Sequence, residues 1–324
     1  MMKRSFAFLF MIFILTACSQ GSVEVPETDH PYTIISHAKE PVLSFVDLET
    51  GDVLREETVN HSLSYMAQLN DQQILGTNQI EEDVFLFDLE NKTIRPFVTI
   101  GQGLTKIEVD RQTKRVFISD TKQNVVHVVD GKTGTMIKTL EVGDYPSDLL
   151  IDNKKQRLFV LSKEAKEVAI IDLVNLATVN QFPIKDNSSG LYYDGRHLWI
   201  GGHGAIGELN SYVQAYDPDT GFVMKEIEAG LMPIGIEADS SQLHLFFLSH
   251  GDHTLKKYNV EEQRIVGSVE VGQNPNYIAV FEDNVWVTNL DSDSLSIVDV
   301  VTMSIVKEIP ISKGPYAIIG QFNE

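Results

Sequence analysis

The sequence repeats itself at intervals of about 42 residues, and this repetition limits the accessible folds more than any other feature. Each unit contains two short apolar stretches, and the second stretch ends in an aspartate or asparagine. These end markers are Asp47, Asp88, Asp130, Asp172, Asp217, Asn259 and Asp299, separated by 41, 42, 42, 45, 42 and 40 residues. Units of this length are typical of β-propellers with four-stranded blades. The spacing therefore predicts seven blades.

A second spacing supports the same repeat. The residue sixteen positions after each marker is Leu63, Leu104, Pro146, Ser188, Pro233, Pro275 or Pro315. Proline, found at four of these positions, suits the first residue of a strand, because its missing N–H then removes no hydrogen bond from the sheet. Each of these residues is therefore predicted to begin the first strand of a blade.

Residues 146–184 show how one unit divides into four strands, here called a to d in chain order. The segments PSDLLID, RLFVLS, EVAIIDL and ATVNQFPI are predicted as strands a, b, c and d. Strand b is apolar on both faces, as expected of a strand covered on both sides. Strand d is more polar, as expected of an outer edge. No segment has a convincing helical period, so residues 31–324 are predicted to form one all-β domain.

The two ends of the repeat complement each other. The first marker follows strands b and c (residues 32–37 and 42–48) without a strand a, and residues 315–320 form an unmatched strand a after the last blade. The C-terminal strand is therefore predicted to complete blade 1. Closure of this kind removes the exposed sheet edges on which an open ring would aggregate.

Several short motifs resemble those of the YVTN repeat family of seven-bladed β-propellers. They are VTN at residues 287–289, the SIVD segment that ends at Asp299, and the recurring Gly-x-x-Pro before strand a. The resemblance covers residues 31–320, with degenerate motifs such as GTN, ISD and VLS in other blades. It implies the fold. It implies no single function, because the family includes surface, periplasmic and redox-associated proteins, and related seven-bladed propellers include sugar lactonases.

The first eighteen residues are typical of a secreted lipoprotein. A basic start (MMKR) precedes an apolar stretch at residues 6–14, which is too short to span a bilayer. The segment LTAC then resembles a bacterial lipobox. Residues 1–17 are therefore predicted to be a signal peptide, Cys18 a lipidated N-terminus, and residues 18–30 a flexible polar tether. An unmodified buried thiol is the alternative for Cys18. The predicted location is extracytoplasmic, lipid-anchored to the cell membrane, with the outer leaflet of a Gram-positive membrane favoured.

The cysteine count and the charge narrow the function classes further. Cys18 is the only cysteine, so the chain forms no intramolecular disulfide, and thiol catalysis and CxxCH haem attachment are not expected. The formal charge is −20, and it becomes −22 when Lys3 and Arg4 leave with the leader. Such a charge repels phosphate, so nucleic acid is not predicted as a partner. The chain is expected to act as a monomer.

Candidate ligand-binding residues lie where the b–c and d–a loops meet, on one face of a propeller, here called the top face. The predicted set is His37, Asn78, Asp120, His203, His250, His253 and Asn289. The markers that end strand c lie on the opposite, bottom face, and Asp-x-x-x-Gly patterns there indicate structural turns.

Blade 5 departs from the repeat on the top face. Fifteen positions separate Gly202 from its marker, where the other blades have ten, and the insertion contains a glycine-rich loop. It is either a functional loop or a tolerated expansion. His203, His250 and His253 lie on adjacent blades and are candidate metal ligands. Exposed turn histidines are the alternative.

No catalytic motif is present: the chain has no GxSxG or P-loop pattern and no GxGxxG followed by a helix, and no catalytic residue is predicted. Three functions fit. The favoured one is a non-enzymatic binding scaffold that presents its top face to a protein, a peptide or an envelope polymer. The second is a metal-assisted hydrolase or lyase of the lactonase type, with a divalent metal held by Asn78, Asp120 and Asn289. The third is an accessory to an envelope redox or metal-handling system. No other cofactor is predicted.

Overall fold

A computed structural model describes residues 21–322 of the chain as a seven-bladed β-propeller, which confirms the predicted fold. The predicted signal peptide and Cys18 lie outside the described residues, as do residues 323–324. The described part contains no helix. It accordingly offers no helical segment with the length and apolar character needed to cross a membrane.

The strands of blades 1 to 4 follow the short β1 (Gly21–Ser22) in chain order. Blade 1 contains β2 (Tyr32–His37), β3 (Val42–Asp47) and β4 (Val53–Thr58), and blade 2 contains β5 (Tyr65–Asn70), β6 (Gln73–Thr77), β7 (Asp83–Asp88) and β8 (Thr93–Thr99). Blade 3 contains β9 (Leu104–Asp110), β10 (Arg115–Asp120), β11 (Val125–Asp130) and β12 (Met136–Glu141), and blade 4 contains β13 (Pro146–Asp152), β14 (Arg157–Ser162), β15 (Glu167–Asp172) and β16 (Ala177–Pro183).

The remaining strands continue in the same order. Blade 5 contains β17 (Ser188–Tyr193), β18 (Leu198–Gly202), a small hairpin of β19 (Gly204–Ala205) and β20 (Glu208–Leu209), β21 (Tyr212–Tyr216) and β22 (Val223–Glu228). Blade 6 contains β23 (Pro233–Ala238), β24 (His244–Ser249), β25 (Thr254–Asn259) and β26 (Arg264–Glu270). Blade 7 contains β27 (Pro275–Phe281), β28 (Asn284–Asn289), β29 (Ser294–Asp299) and β30 (Ile305–Pro310), and β31 (Pro315–Phe322) follows.

Each blade is an antiparallel sheet ordered a–b–c–d from the axis outward. Strands a of successive blades contact one another around the axis, so the seven sheets form a closed ring. The cores lie between neighbouring blades and are filled by the apolar strands b. Phe159, Trp199, Phe247 and Trp286, each from a strand b, are almost fully buried. The prediction that strand b is covered on both faces is confirmed.

The C-terminal strand closes the ring as predicted. β31 pairs with β2 through Ile319 opposite Ile34 and Ile318 opposite Ile35, which gives blade 1 the order β31–β2–β3–β4. The ring of Phe322 lies 5.7 Å from the ring of Tyr32. The last strand of the chain therefore completes the first blade.

The N-terminal segment differs from the predicted flexible tether. β1 pairs with β8, with Gly21 opposite Ile94, so blade 2 has a fifth, outermost strand. Val23 is completely buried and packs in the core between blades 1 and 2. The physical reason is local: Val23 gains burial, and Gly21 fits because a Cβ there would lie 2.6 Å from Ile94 Cγ2. From Gly21 onward the segment is docked on the propeller.

The marker aspartates cap the bottom turns, as predicted. Asp130 Oδ1 accepts hydrogen bonds from the backbone N–H groups of Lys132 and Thr133, both at 2.9 Å. These donors lower the pKa of Asp130 from its ordinary value. Asp217 is bonded in the same way to the N–H groups of Asp219 and Thr220. The markers are therefore structural.

A pair of phenylalanine variants tests ring closure. Phe322→Ala removes a side chain that is 2% exposed, so we expect the free energy of unfolding to fall by about 3–5 kcal/mol. Phe222→Ala removes one that is 70% exposed, and we expect a change within about 0.5 kcal/mol. Denaturant unfolding followed by fluorescence measures both. Equal, small effects would show that β31 does not complete blade 1.

Candidate functional site

One backbone hydrogen bond recurs on the top face, and we call it the top-face latch. The N–H of the residue after strand b donates to the carbonyl of the residue before strand a of the same blade. The six latches run from Ala38 to Gly314, Thr121 to Gly103, Lys163 to Tyr145, His203 to Asn187, His250 to Met232 and Leu290 to Asn274, at 2.7–3.0 Å. Each latch fixes the d–a loop against the b–c loop, and the top face therefore has a regular backbone frame.

Every latch acceptor has left-handed backbone geometry. The φ angles are 59° at Tyr145, 56° at Met232 and 53° at Asn274, and Gly103, Asn187 and Gly314 are also positive. This region is uncommon for residues with a Cβ and disfavoured for a large side chain such as Tyr or Met. The latches therefore hold Tyr145 and Met232 in a strained conformation that glycine and asparagine tolerate at the same position of the other blades.

His203 and His250 occupy the latch-donor positions of blades 5 and 6 and lie side by side. Their ring centroids are 5.6 Å apart, in an edge-to-face arrangement. Burial, together with the positive charge of Lys163, lowers the pKa of His203 to about 4. Burial also lowers the pKa of His250. Both rings are therefore neutral at pH 7, and the structure brings together two of the predicted histidines.

Six top-face side chains carry a buried nitrogen or oxygen atom that forms no hydrogen bond of good geometry, although backbone groups of residues 312–313 and 275 lie near the rings of His37 and His250. Among the side chains that the structure describes, eight such atoms occur, and these six are His37 Nδ1, Ser162 Oγ, His203 Nδ1, His250 Nδ1, Asn274 Oδ1 and Asn289 Oδ1. They come from the consecutive blades 4, 5, 6, 7 and 1, and we call them the polar arc. The other two atoms belong to Tyr258 and Trp286, within blades 6 and 7.

Other predicted residues hold their own loops together. Asn78 Oδ1 accepts from the N–H groups of Ile80 and Glu81, both at 2.8 Å, and Asp120 Oδ1 caps the next b–c loop in the same way. His253 Nδ1 accepts from the Asn274 N–H at 3.3 Å. These contacts give Asn78, Asp120 and His253 structural roles, and ligand contact by them remains a prediction.

His37 and Asn289 are fully buried. His37 Nε2 lies 2.8 Å from Ser44 Oγ, and the amide of Asn289 donates to the hydroxyls of Ser294 and Ser296. Each residue therefore supports its own blade with one end of its side chain, while the other end belongs to the polar arc.

The three candidate metal-ligating histidines do not form one ligand set. Residues 21–322 contain no group of three or more His, Cys, Asp or Glu side chains arranged to hold a metal ion. His203 and His250 face each other, whereas His253 is bonded to the loop before blade 7. A metal at this site remains a prediction that rests on the histidine pair alone.

The insertion in blade 5 forms the β19–β20 hairpin. Gly204 pairs with Leu209, and Ile206 at its tip is fully exposed. The Asn210 N–H donates to the carbonyl of His203, so the hairpin is tied to the latch donor of its blade. A groove of about 460 Å³ lies between this hairpin and the outer strand of the blade.

A charged cluster in the central channel was not predicted. Lys106 Nζ lies 3.4 Å from Asp148 Oδ1 and 3.8 Å from Glu108 Oε1. Glu237 and Tyr277 interact with the same charges. All five residues occupy the second or fourth position after the start of a strand a, at spacings that the sequence already contained. The signal in the sequence that would have predicted the cluster was the charged or polar residue at these two positions of strand a.

Burial changes the titration of this channel cluster. It raises the pKa of both Glu108 and Glu237 to about 7, although the positive charge of Lys106 partly opposes the shift. The neighbouring Asp148 adds to it, because a second negative charge disfavours ionisation. These two glutamates therefore hold their protons more tightly than exposed carboxyl groups do.

Comparisons with known proteins establish the fold and leave the function open. No protein-family model matches the sequence. The "Uncharacterized protein YncE" of Salmonella typhimurium is 26% identical over 172 residues, which are 50% of this chain and 48% of that protein. The chain thus matches about half the length of this curated relative, a weak homologue.

Solved structures of differing activities share the fold. Hydrazine synthase of Kuenenia stuttgartiensis superposes with a TM-score of 0.70 at 15% identity, covering 90% of this chain and 99% of that one. The dihydro-heme d1 dehydrogenase NirN gives 0.64 at 15% identity, covering 90% and 66%. Apo AztD from Citrobacter koseri gives 0.62 at 12% identity, covering 89% and 97%. Identities this low show the fold alone.

The pH dependence of stability tests the channel cluster. The pKa of Glu108 and Glu237 is about 7 in the folded chain and 4.5 ordinarily, so the folded state binds more protons between these values. Their contribution to stability is complete below about pH 4.5 and is lost as pH rises through about 7. When pH is raised from about 5 to about 8, wild type should lose this contribution and the double variant Glu108→Gln/Glu237→Gln should not. We therefore expect the free energy of unfolding of the variant to rise relative to that of wild type.

Denaturant unfolding of both proteins at each pH measures this difference. His203 and His250 also make stability depend on pH, with the opposite sign. Both proteins contain these histidines, so their effect cancels in the difference and the comparison isolates the two glutamates. A wild-type-minus-variant difference that does not change with pH would contradict the account.

Proposed function

We propose that this chain is an extracytoplasmic lipoprotein whose propeller binds a protein, a peptide or an envelope polymer through its top face. The proposal places it with the YVTN repeat propellers, on the motifs at residues 287–289 and 299. The lipid anchor at Cys18 is part of the proposal and is supported by the basic, apolar and lipobox-like segments of the leader.

The polar arc is the observation that carries this proposal. A buried polar atom without a partner costs about 1–3 kcal/mol, and folded proteins contain few of them. Here they occur on five consecutive blades, on one face, within a backbone frame held by the latches. A ligand or ordered water that donates to the amide oxygens of Asn274 and Asn289 would recover this cost.

The chemistry of the arc favours binding over catalysis. Its groups are one hydroxyl, two amides and three imidazoles, and burial lowers the pKa of all three histidines. No carboxylate among the described side chains hydrogen bonds to Nδ1 of His203 or His250. A general base is usually oriented by such a third group. The arc offers neutral donors and acceptors.

The histidine pair supports a second candidate, a bound divalent metal. Neutral imidazole is the form that binds metal, and His203 and His250 are neutral at pH 7 and adjacent. The metal-assisted hydrolase or lyase and the accessory role in metal handling would both use this pair. Two imidazoles are fewer protein ligands than such sites normally have, so binding of a polymer or peptide is preferred.

Co-sedimentation with washed, membrane-free cell-wall material tests the top-face proposal. We expect the mature chain to sediment with the wall material and the variant His203→Ala/His250→Ala to bind about tenfold more weakly, because each lost neutral hydrogen bond costs about 1 kcal/mol. His30→Ala, a half-exposed histidine on the bottom face, is the matched control and should bind normally.

Two other outcomes decide against the proposal. Normal binding by the double variant would move the site away from the polar arc. Stoichiometric zinc binding that the double variant loses, without any wall binding by wild type, would establish the metal candidate instead. Thermal melting of each variant checks that the fold is retained.

A further inference from the structure

Blade 2 lacks the top-face latch. In blade 2, β6 ends early at Thr77 and β5 begins late at Tyr65, so the latch positions are counted from the markers: the donor position is Gln79, nine residues before Asp88, and the acceptor position is Ser62, fifteen after Asp47. No hydrogen bond joins the Gln79 N–H to the Ser62 carbonyl among the described backbone groups. The side chain of Asn78 donates to that carbonyl instead, at 2.5 Å. Ser62 is also without the left-handed φ angle found before strand a in the other six blades. A side chain therefore replaces the direct backbone contact between the two loops of blade 2.

A cavity opens where the latch is missing. It has a volume of about 320 Å³ and lies on the top face between blades 1 and 2. Three loops line it, at residues 38–41, 62–65 and 78–80. Its size is at the lower end of small-ligand sites, which measure about 300–1,000 Å³. The cavity adjoins His37, so it continues the polar arc from blade 1 into blade 2.

The charged groups at the rim of the cavity are already paired. Lys39 Nζ donates to the Leu290 carbonyl at 2.7 Å and to Asp291 Oδ1 at 2.9 Å. Glu40 Oε1 lies 3.3 Å from Lys313 Nζ. A charged ligand would have to compete with these partners. The cavity therefore presents a neutral environment.

The remaining groups are hydroxyls, amides and one aromatic ring. Ser62, Ser64, Asn78 and Gln79 are the polar residues of the lining. The Asn78 amide and the Ser62 hydroxyl already bond to neighbouring backbone groups, so the Gln79 amide and the Ser64 hydroxyl are the groups offered to a ligand. Burial raises the pKa of Tyr65, which is also bonded to Gln79, so its phenol stays protonated. The edge of the Tyr65 ring is held against Tyr316, with 5.5 Å between centroids. A fixed ring surrounded by amides and hydroxyls offers both a packing surface and several hydrogen bonds.

We propose that this cavity binds a neutral carbohydrate, as one sugar unit of an envelope glycan. A sugar ring has hydroxyls on its edge, which match the amides and hydroxyls, and an apolar C–H face, which matches Tyr65 and the 78%-exposed Ile80. An extended peptide fits less well, because peptides commonly add to a free strand edge, whereas this cavity is formed by three loops. The inference rests on the proposed top-face binding and names its ligand class.

Ligand-observed NMR and calorimetry with defined oligosaccharides test the inference. The probes are maltotriose, cellotriose and the trimer of N-acetylglucosamine, with trigalacturonate as the charged comparison. We expect the mature chain to bind at least one neutral trimer with a Kd of about 1 mM or tighter. Trigalacturonate should bind at least about tenfold more weakly.

Two substitutions assign the binding to this cavity. Gln79→Ala should weaken binding of the neutral trimer about tenfold without changing the melting temperature, because Gln79 is exposed. Tyr65→Ala should abolish binding, whereas Tyr65→Phe, which keeps the ring, should retain most of it. Gln273→Ala, an exposed glutamine on the top face of blade 7, is the matched control and should bind like wild type.

The outcomes separate this inference from the proposed function. If no neutral trimer binds while the His203→Ala/His250→Ala variant still loses wall binding, the carbohydrate assignment fails and top-face binding stands. If a neutral trimer binds and Gln79→Ala has no effect, the ligand class stands and the cavity assignment is overturned. Equal binding of trigalacturonate overturns the neutral-sugar assignment. If every top-face variant keeps both wall binding and sugar binding, the proposed function and the carbohydrate assignment are both overturned.

Discussion

In six of the seven blades, one backbone hydrogen bond holds the loop after strand b against the loop that leads into strand a. This bond accounts for several features of the top face together. It accompanies the same left-handed backbone in residues as unlike as Tyr145 and Met232, whose carbonyls accept the N–H of the facing loop from that conformation. Since the bond uses no side chain, the residue at the donor position is free to vary from Ala38 to His250.

A fixed backbone with variable side chains is what allows one fold to support different sites. Blades 5 and 6 place two neutral histidines on the frame, and blade 2 omits the latch and opens a cavity. The bottom face uses the opposite strategy: there the same aspartate turn recurs in blade after blade and caps its own N–H groups. The two faces thus differ in how their loops are satisfied: the bottom turns cap themselves, whereas six of the eight unsatisfied buried polar atoms among the described side chains lie on the top face.

The parts of the fold that repeat could be predicted from the sequence. Blade number, strand order, ring closure by residues 315–322 and the turn aspartates all follow from spacings that seven units share. The docking of β1 could not be predicted, because a two-residue strand has no period and its stability depends on Val23 entering a core formed by distant residues. The channel cluster required knowing that strands a face one another across the axis.

The candidate site was predicted only in part. His203 and His250 were placed together correctly because their blades are adjacent, but the separation of His253 depends on one loop contact. Asn78 and Asp120 have structural roles because their side-chain oxygens accept hydrogen bonds from N–H groups of their own loops. The position of a residue at the end of a strand does not reveal such bonds. The cavity near Tyr65 lies where one backbone hydrogen bond is missing. The identities of Ser62 and Gln79 do not indicate in the sequence that this bond is absent.

Amide hydrogen exchange on the top face tests the central claim most directly, because it reports each latch at its own N–H. The account predicts slow exchange, by at least about tenfold relative to Gln79, at the six latch donors Ala38, Thr121, Lys163, His203, His250 and Leu290. Gln79, whose N–H has no such acceptor, should exchange fastest of the seven. Protection of Gln79 equal to that of the others, or rapid exchange at all seven, would contradict the latch and the cavity that its absence creates.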